Sequence, residues 1–168
     1  MKLILWQPRT YSLLIPLIVV ILSMIVETIP ITLSFFSYIK PSLFFIFIWY
    51  FHFHYPRYLP LWLIFLLGIF YDIETGQRIG VTALALWLSF IYPRFFRKNF
   101  HEQHGINFLL KFAVCMALYI FGQQSLMVLF GAEWQNAGLL LSRFATSLVL
   151  TPFLWRFLSF FDKYMSRI

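Results

Sequence analysis

The stretch GIFYDIETGQRIGVTALAL, residues 68–86, interrupts a strongly apolar chain with three charged residues and three glycines. Small or acidic residues recur in it at every fourth position: Gly68, Asp72, Gly76 and Gly80. This spacing lines one face of a helix, yet the glycine and charges at its centre favour a turn. The pattern therefore predicts two helices joined by a polar loop from Asp72 to Arg78.

Each of the four regularly spaced residues has an expected structural role. Gly76 can adopt the positive φ that a tight turn requires. Gly68 and Gly80 would let the two flanking helices, or a neighbour, approach closely, as small residues do in membrane proteins. Asp72 could cap backbone N–H groups at the start of the second helix, or bond across helices. A solvated turn with packing glycines remains an alternative to a partner-contact site.

The composition of the chain indicates that its solvent is largely lipid. Of 168 residues, 61% are hydrophobic and 11% are charged, whereas a soluble domain carries about 25% charged residues. The formal net charge of +7 comes from basic residues scattered at the ends of apolar runs. That distribution suits anionic lipid headgroups, and it lacks the soluble basic face that nucleic-acid binding needs.

The apolar runs predict about six transmembrane helices in one integral-membrane domain that covers residues 1–168. Their approximate bounds are 11–30, 41–56, 59–73, 79–97, 106–130 and 138–161. A helix crosses a bilayer with roughly 17–25 mostly apolar residues, so the short second and third segments leave five or six full spans open. Pro41 lies in the predicted first turn of the second helix, where its missing N–H costs nothing. Pro152 is expected to bend the last helix.

The basic residues predict how these helices are oriented. If the N-terminus is cytoplasmic, nine of the 13 lysines and arginines fall on the cytoplasmic side: Lys2, Arg9, Arg57, Arg94, Arg97, Lys98, Arg156, Lys163 and Arg167. The outer loops hold Lys40 and Arg78. An excess of this kind is the positive-inside pattern, so both termini are expected in the cytoplasm.

Arg143 is the most informative charged residue within a predicted span. It lies about one turn into the last helix, level with three acids on the predicted outer side: Glu27, Asp72 and Glu74. A charge at membrane depth is costly and is usually paired, so Arg143 is expected to pair with one of these acids. The alternative is an arginine that snorkels to lipid headgroups.

No catalytic, cofactor or metal site is expected from the sequence. The chain contains no G-x-S-x-G, HExxH, Walker or CxxC signature. Four histidines fall on the predicted inner side without a cysteine or paired carboxylate beside them: His52, His54, His101 and His104. They are interpreted as interfacial residues. Asp72 and Glu74 form one acidic pair, which is less than an intramembrane enzyme usually needs.

The motif residues resemble the MreD family of bacterial rod shape-determining proteins. The resemblance rests on Lys40-Pro41-Ser42 before an apolar helix and on the glycine–aspartate spacing followed by Ala83-Leu84. The small size, the basic ends and the proline in the last helix agree with it. The family often has aspartate or asparagine where this chain has Ser42, which still suits a helix N-terminus.

The resemblance implies a non-catalytic scaffold in the inner membrane that maintains rod shape during lateral peptidoglycan synthesis. The implied partners are an MreC-like bitopic membrane protein, an MreB-like actin filament, RodA and a class B penicillin-binding protein. The implied fold is similar to the six-helix substrate-binding subunits of energy-coupling-factor transporters. The motif residues would then have packing or partner-contact roles.

Two other functions remain open at this stage. The implied fold suggests a small-molecule-binding subunit of a vitamin-type transporter, which would need polar side chains from several helices around a cavity. Asp72, Glu74, Gln123, Gln124 and Arg143 could supply such groups. An intramembrane enzyme is the third possibility, and it would need a second acidic or histidine cluster facing the first.

Overall fold

A computed structural model describes residues 10–29, 41–56, 59–95 and 106–165, with side chains for 16–29, 41–56, 59–91 and 108–158. Within these residues the regular secondary structure is all helical. Six helices follow one another: α1 (Thr10–Thr28), α2 (Leu43–His54), α3 (Leu61–Thr75), α4 (Val81–Phe95), α5 (Ile106–Leu129) and α6 (Ala137–Met165). The predicted all-helical class with about six helices is confirmed.

α2 lies at the centre of the bundle and is covered on all sides. Seven of its 12 residues are buried, as expected for a helix that is apolar around its whole circumference. Phe45 packs against Phe90 of α4 and Tyr119 of α5, with ring centroids 5.6 and 4.8 Å apart. Trp49 meets the edge of Phe112 on α5 at 5.2 Å. Large aromatic side chains therefore fill the space between α2 and its neighbours.

The longest apolar helices are α5 and α6. Among the described residues, Phe108–Leu129 and Ala137–Leu158 have the length and composition to cross a membrane, at 22 residues each. By contrast, the 12 residues of α2 rise only about 18 Å, less than the roughly 30 Å of a hydrocarbon core. Whether α2 and α3 cross the bilayer fully stays a prediction.

α3 and α4 form a closely packed hairpin. A Cβ added at Gly68 would lie only 2.5 Å from the Cα of Ala83, so the two backbones meet where the sequence places a glycine. Close packing was also predicted at Gly80, and the flanking helices of this chain do not make it. A Cβ added at Gly80 meets nothing within 4 Å, because this residue lies in the turn and not in the helix contact.

The loop between α3 and α4 is shorter than predicted. The sequence indicates a loop from Asp72 to Arg78, but α3 continues to Thr75 and α4 begins at Val81. Asp72 can remain helical because its carboxylate is satisfied by the backbone of α4. The helix ends at Gly76, which has a φ of 66°, in the left-handed region that glycine adopts most easily.

The start of α2 also differs from the prediction. Pro41 lies before the helix and not in its first turn, because α2 begins at Leu43 with Ser42 as its N-cap residue. Ser42 takes a non-helical conformation, with φ −79° and ψ 77°, and its N–H donates to Ser147 Oγ at 2.9 Å. Pro152 lies within α6, and the bend expected there stays a prediction.

Much of the predicted charge pattern falls on residues outside the described ranges. These are Lys2, Arg9, Lys40, Arg57, Arg97, Lys98 and Arg167, together with His101 and His104. The orientation of the bundle therefore stays a prediction. The other two histidines bond to nearby carbonyl groups: His52 Nδ1 lies 2.9 Å from Leu59 O, and His54 Nδ1 lies 3.1 Å from Tyr50 O.

Candidate functional site

The polar side chains singled out from the sequence gather at one end of the bundle. Here α1, α3 and α5 finish and α2, α4 and α6 begin, and we call this the motif end. Two buried or half-buried acids organise it. Asp72 belongs to the last turn of α3 and Glu27 to the last turn of α1.

Asp72 caps the N-terminus of α4 from the neighbouring helix. Its side chain is fully buried. Oδ2 accepts the backbone N–H of Gly80 at 2.8 Å, and both carboxylate oxygens lie 3.1–3.2 Å from the N–H of Thr82. The first N–H groups of a helix have no partner within the helix, and a negative charge is favourable at this positive end of the helix dipole. Asp72 thus fixes where α4 starts.

The glycines make this cap geometrically possible. Gly76 ends α3 and Gly80 precedes α4, with φ values of 66° and 97°. The N–H of Gln77 donates back to the carbonyl of Asp72 at 3.0 Å, a pairing that closes a helix with a left-handed residue. The chain therefore reverses within five residues and returns the N–H of Gly80 to the carboxylate.

The α3–α4 loop is also bonded to α5. Gln123 Nε2 donates to Gln77 Oε1 and to Thr82 Oγ1, both at 3.1 Å. In the same loop, the guanidinium carbon of Arg78 lies 5.8 Å from the ring centroid of Phe130, which is within cation–π range. Contacts from two residues of the α5 end therefore hold the loop in a fixed conformation.

Glu27 caps the N-terminus of α2 in the same way as Asp72 caps α4. Its Oε2 accepts the backbone N–H of Phe44 at 3.1 Å, and Phe44 is the second residue of α2, as Thr82 is of α4. Glu27 Oε1 accepts the hydroxyl of Tyr71 at 3.1 Å. Ser42 makes no side-chain cap of its own. In both the α1–α2 pair and the α3–α4 pair, the second helix therefore takes its N-terminal cap from the helix that precedes it.

Arg143 lies against Glu27. Its Nη2 is 3.2 Å from Glu27 Oε1, with side-chain exposures of 24% and 7% for the arginine and the acid. Its Nε donates to Ser42 Oγ at 2.6 Å. The guanidinium of α6 is thereby directed to the N-terminus of α2 by two hydrogen bonds. These contacts favour the expected pairing over a guanidinium that reaches only lipid headgroups.

The other two acids named with Arg143 have different partners. Asp72 is occupied by the start of α4, and Glu74 Oε1 accepts the hydroxyl of Thr28 at 2.8 Å on the protein surface. The three acids therefore do not share one site. The depth of Arg143 in its helix leaves all three acids as possible partners. Only the packing of the helices shows which of them it contacts.

Sequence reasoning missed one member of the Arg143 cluster, Tyr71, whereas Ser147 is among the hydroxyl residues of the last helix that the sequence suggests could bond between helices. Ser147 lies one turn after Arg143 and is completely buried. A signal was present, since Arg143, Ser147 and Thr151 recur every fourth residue on one face of α6. Tyr71 precedes Asp72 but points to Glu27, and no sequence spacing indicates that contact.

The polar side chains at the motif end do not line the groove that the structure describes. This groove of about 550 Å³ lies on the surface of α3 and α4, and five apolar side chains line it: Trp62, Phe65, Leu66, Leu84 and Trp87. Its lining lacks the convergent polar groups that a small-molecule site usually has. Within the described residues, no three His, Cys, Asp or Glu side chains are placed to hold a metal ion.

Comparison with known proteins matches this chain to one family. The family model described as rod shape-determining protein MreD matches residues 7–163, nearly the whole chain. Neither a curated protein nor a solved structure matches the chain. The similarity to the substrate-binding subunits of energy-coupling-factor transporters therefore stays a prediction.

Proposed function

Since this chain belongs to the MreD family of rod shape-determining proteins, we propose that it is a non-catalytic scaffold of the cell-elongation machinery. Family membership assigns it a role in rod shape determination and places it, as a membrane protein, with the MreB and MreC shape machinery. We propose further that it links an MreC-like bitopic protein and an MreB-like filament to lateral peptidoglycan synthesis.

The observation that carries the scaffold proposal is the closed α3–α4 hairpin. The buried carboxylate of Asp72 accepts hydrogen bonds from two backbone N–H groups, so it is occupied by structure and not directed to a substrate. The same bonds hold a loop whose tip is exposed, since Ile79 is 70% accessible to solvent. A rigid loop with an exposed apolar tip suits recognition by another protein better than chemistry.

The contact residues and the motif residues have separate roles in this proposal. Gly68, Asp72, Gly76 and Gly80 give the hairpin its shape. Exposed side chains of the loop, above all Arg78 and Ile79, would touch the partner. The periplasmic part or the single span of an MreC-like protein is the proposed occupant, because the motif end is predicted to face the outer side.

The remaining partners and the location follow from the family and from charge. RodA and a class B penicillin-binding protein would join the assembly through the MreC-like protein. Anionic lipids would contact the basic cytoplasmic side, with both termini in the cytoplasm and several helices crossing the bacterial inner membrane. The charge distribution across the predicted loops supports that orientation, and it offers no face for nucleic acid.

Complementation of cell shape tests the proposal. The host is a rod-shaped bacterium that has been depleted of its own MreD-family protein. Expression of this chain is expected to restore the rod shape of the cells. Asp72→Ala should fail to do so, whereas Glu74→Gln, which alters an exposed acid two residues away, should succeed. The proposal is wrong if wild-type chain, present in the membrane at normal abundance, leaves the cells round, or if Asp72→Ala at the same abundance restores them fully.

A further inference from the structure

α3 and α4 are much shorter than the apolar part of α5. Each of the two has 15 residues and rises about 22 Å. The apolar part of α5 has 22 residues and rises about 33 Å. The hydrocarbon core of a bilayer is about 30 Å thick, and tilting cannot correct a short helix, because a tilted helix covers less of that thickness. The α3–α4 pair and α5 therefore fit bilayers of different thickness.

Two hydrogen bonds of Thr82 define a common level for these three helices. Its N–H donates to Asp72 of α3, and its Oγ1 accepts from Gln123 of α5. Away from the motif end, α3 begins 11 residues before Asp72, and α4 ends 13 residues after Thr82. The charged residue of α5 on that side is Lys111, which is 12 residues before Gln123. The three helices therefore reach a terminus or a charge at nearly the same level there.

At the motif end the same helices reach polar residues at different levels. The exposed acid Glu74 lies two residues beyond Asp72, about 3 Å along α3, and the exposed Arg78 follows in the loop. α5 continues for six residues beyond Gln123, about 9 Å, and ends at Leu129, which is 79% exposed. The apolar surface of α5 thus extends about 6 Å further than that of α3.

A flat membrane surface fits only one of these two levels. A surface at the level of Leu129 would place the charges of Glu74 and Arg78 in hydrocarbon, where they are costly. A surface at the level of Glu74 would place three exposed apolar residues in water: Val128, Leu129 and Phe130. Bilayers accommodate a short apolar segment by becoming locally thinner, and this satisfies both sides of the bundle.

We propose that the bilayer leaflet at the motif end is about 6 Å thinner beside α3 and α4 than beside α5. The surfaces that would contact its lipid chains are apolar and exposed on both sides: Trp62, Leu66, Phe70, Leu84 and Trp87 on α3 and α4, and Leu110, Val114, Leu118 and Phe121 on α5. The thinned leaflet keeps the α3–α4 loop in water at a level that is hydrocarbon on the α5 side. Because it concerns lipid, the proposal stands independently of the scaffold function.

The depth of spin labels in lipid nanodiscs tests the thinning. The chain has a single cysteine, Cys115, so Cys115→Ser provides the background. Phe70→Cys on α3 and Phe121→Cys on α5 form a matched pair. Each lies two residues before the residue of its helix that bonds to Thr82, and the two positions are 59 and 61% exposed. The depth of each label follows from its collision rates with oxygen and with a water-soluble nickel complex.

The label on α5 is expected to lie about 6 Å deeper than the label on α3. Phe121 is eight residues from Leu129, whereas Phe70 is four residues from Glu74. Equal depths would overturn the proposal. Two deep labels would mean that a leaflet of full thickness covers both sides, and two shallow labels would mean that the end of α5 stands in water.

A second pair of labels separates thinning from a tilt of the whole bundle. Trp62→Cys on α3 and Val114→Cys on α5 lie 10 residues before Asp72 and nine residues before Gln123. Thinning at the motif end should leave these two labels at equal depth below the opposite membrane surface. The proposal is wrong if the α3 label is there deeper by the amount by which it is shallower at the motif end, because the bundle would then be tilted.

Removal of the two charges provides an independent arm. Glu74→Leu with Arg78→Leu should move the label at Phe70 toward the depth of the label at Phe121, because the loop then carries no charge that must stay in water. Glu133→Leu, the same change at an exposed acid after α5, should leave both depths as they are. The proposal is also wrong if the double variant, folded by gel filtration, keeps the shallow depth of the label at Phe70.

Discussion

The carboxylate of Asp72 accepts the backbone N–H of Thr82 at 3.1 Å, ten residues further along the chain and in the next helix. This bond makes an acid of α3 the cap of α4. It places a negative charge where the α4 dipole is positive, in a position from which water is excluded. The two helices and their loop are therefore joined into one structural unit, and the Asp72 side chain is one of the contacts that stabilise it.

Removal of the Asp72 carboxylate should destabilise the fold. Asp72→Ala leaves the N–H groups of Gly80 and Thr82 without an acceptor, at a cost of about 1–3 kcal/mol for each buried group. Equilibrium unfolding in detergent, followed by circular dichroism, measures the loss. Glu74→Ala is the matched control, since this acid is exposed and should cost less than about 1 kcal/mol. Equal stability of the two variants would contradict the capping role.

Gly68 and Gly122 should respond to the same substitution in opposite ways. Both are helical glycines at a contact with α4, but a Cβ at Gly68 would lie 2.5 Å from Ala83 Cα, and one at Gly122 would lie 3.8 Å from Ala85 Cβ. Gly68→Ala should cost about 1–3 kcal/mol because the helices must move apart. Gly122→Ala should be neutral or stabilise by up to about 1 kcal/mol, from helix propensity.

The same unfolding measurement checks this pair of glycines. A Gly68→Ala variant as stable as the wild type would show that α3 and α4 are not in contact at this position. A large loss from Gly122→Ala would show instead that α4 and α5 pack more closely than the structure indicates. The two results are separable, because each variant alters a different helix pair.

The pair of Glu27 and Arg143 should not tolerate an exchange of its charges. A simple ion pair keeps its attraction when the residues are swapped. Glu27, however, also accepts the N–H of Phe44 at the start of α2. An arginine there would offer no acceptor and would face the positive end of the helix. The double variant Glu27→Arg with Arg143→Glu should therefore remain destabilised by several kcal/mol, about as much as a broken buried pair.

Neutral substitution separates the two contributions of Glu27. Glu27→Gln keeps an acceptor oxygen, so the double variant Glu27→Gln with Arg143→Gln should be more stable than the charge swap, as measured by the denaturant midpoint. Full recovery of wild-type stability by the charge swap would mean that the cap on α2 contributes nothing and that only the ion pair matters.

Composition and glycine spacing predicted the helical class and the α3–α4 hairpin, because both depend on local chemistry. The charge pattern, the lengths of the apolar runs and the positive φ of Gly76 can each be inferred from residues that are adjacent in the sequence. The length of the loop could not be predicted, since Asp72 stays helical only because backbone donors arrive from Gly80 and Thr82. From the sequence alone, an acidic residue that follows an apolar run indicates the start of a loop, and the predicted loop therefore began at Asp72.

The Arg143 cluster shows the same limit over longer distances. The contacts of Arg143 join residues 101 and 116 positions apart in the chain. Its depth in α6 indicated three possible acids, but helix rotation and packing decide among them. The role of Glu27 as a cap for α2 could not be predicted either, because Phe44 gives no side-chain signal for a bond that its backbone makes.

The central claim, that the Asp72-closed hairpin shapes a partner site, is tested most directly by co-purification in mild detergent with the MreC-like protein of the same organism. Wild type should retain this partner. Asp72→Ala and Ile79→Ser should release it, while Ile29→Ser, the same change at an exposed residue at the end of α1, should retain it. Membrane abundance has to be equal for all four. Retention by Ile79→Ser and Asp72→Ala at wild-type levels, or no retention by the wild type, would contradict the claim.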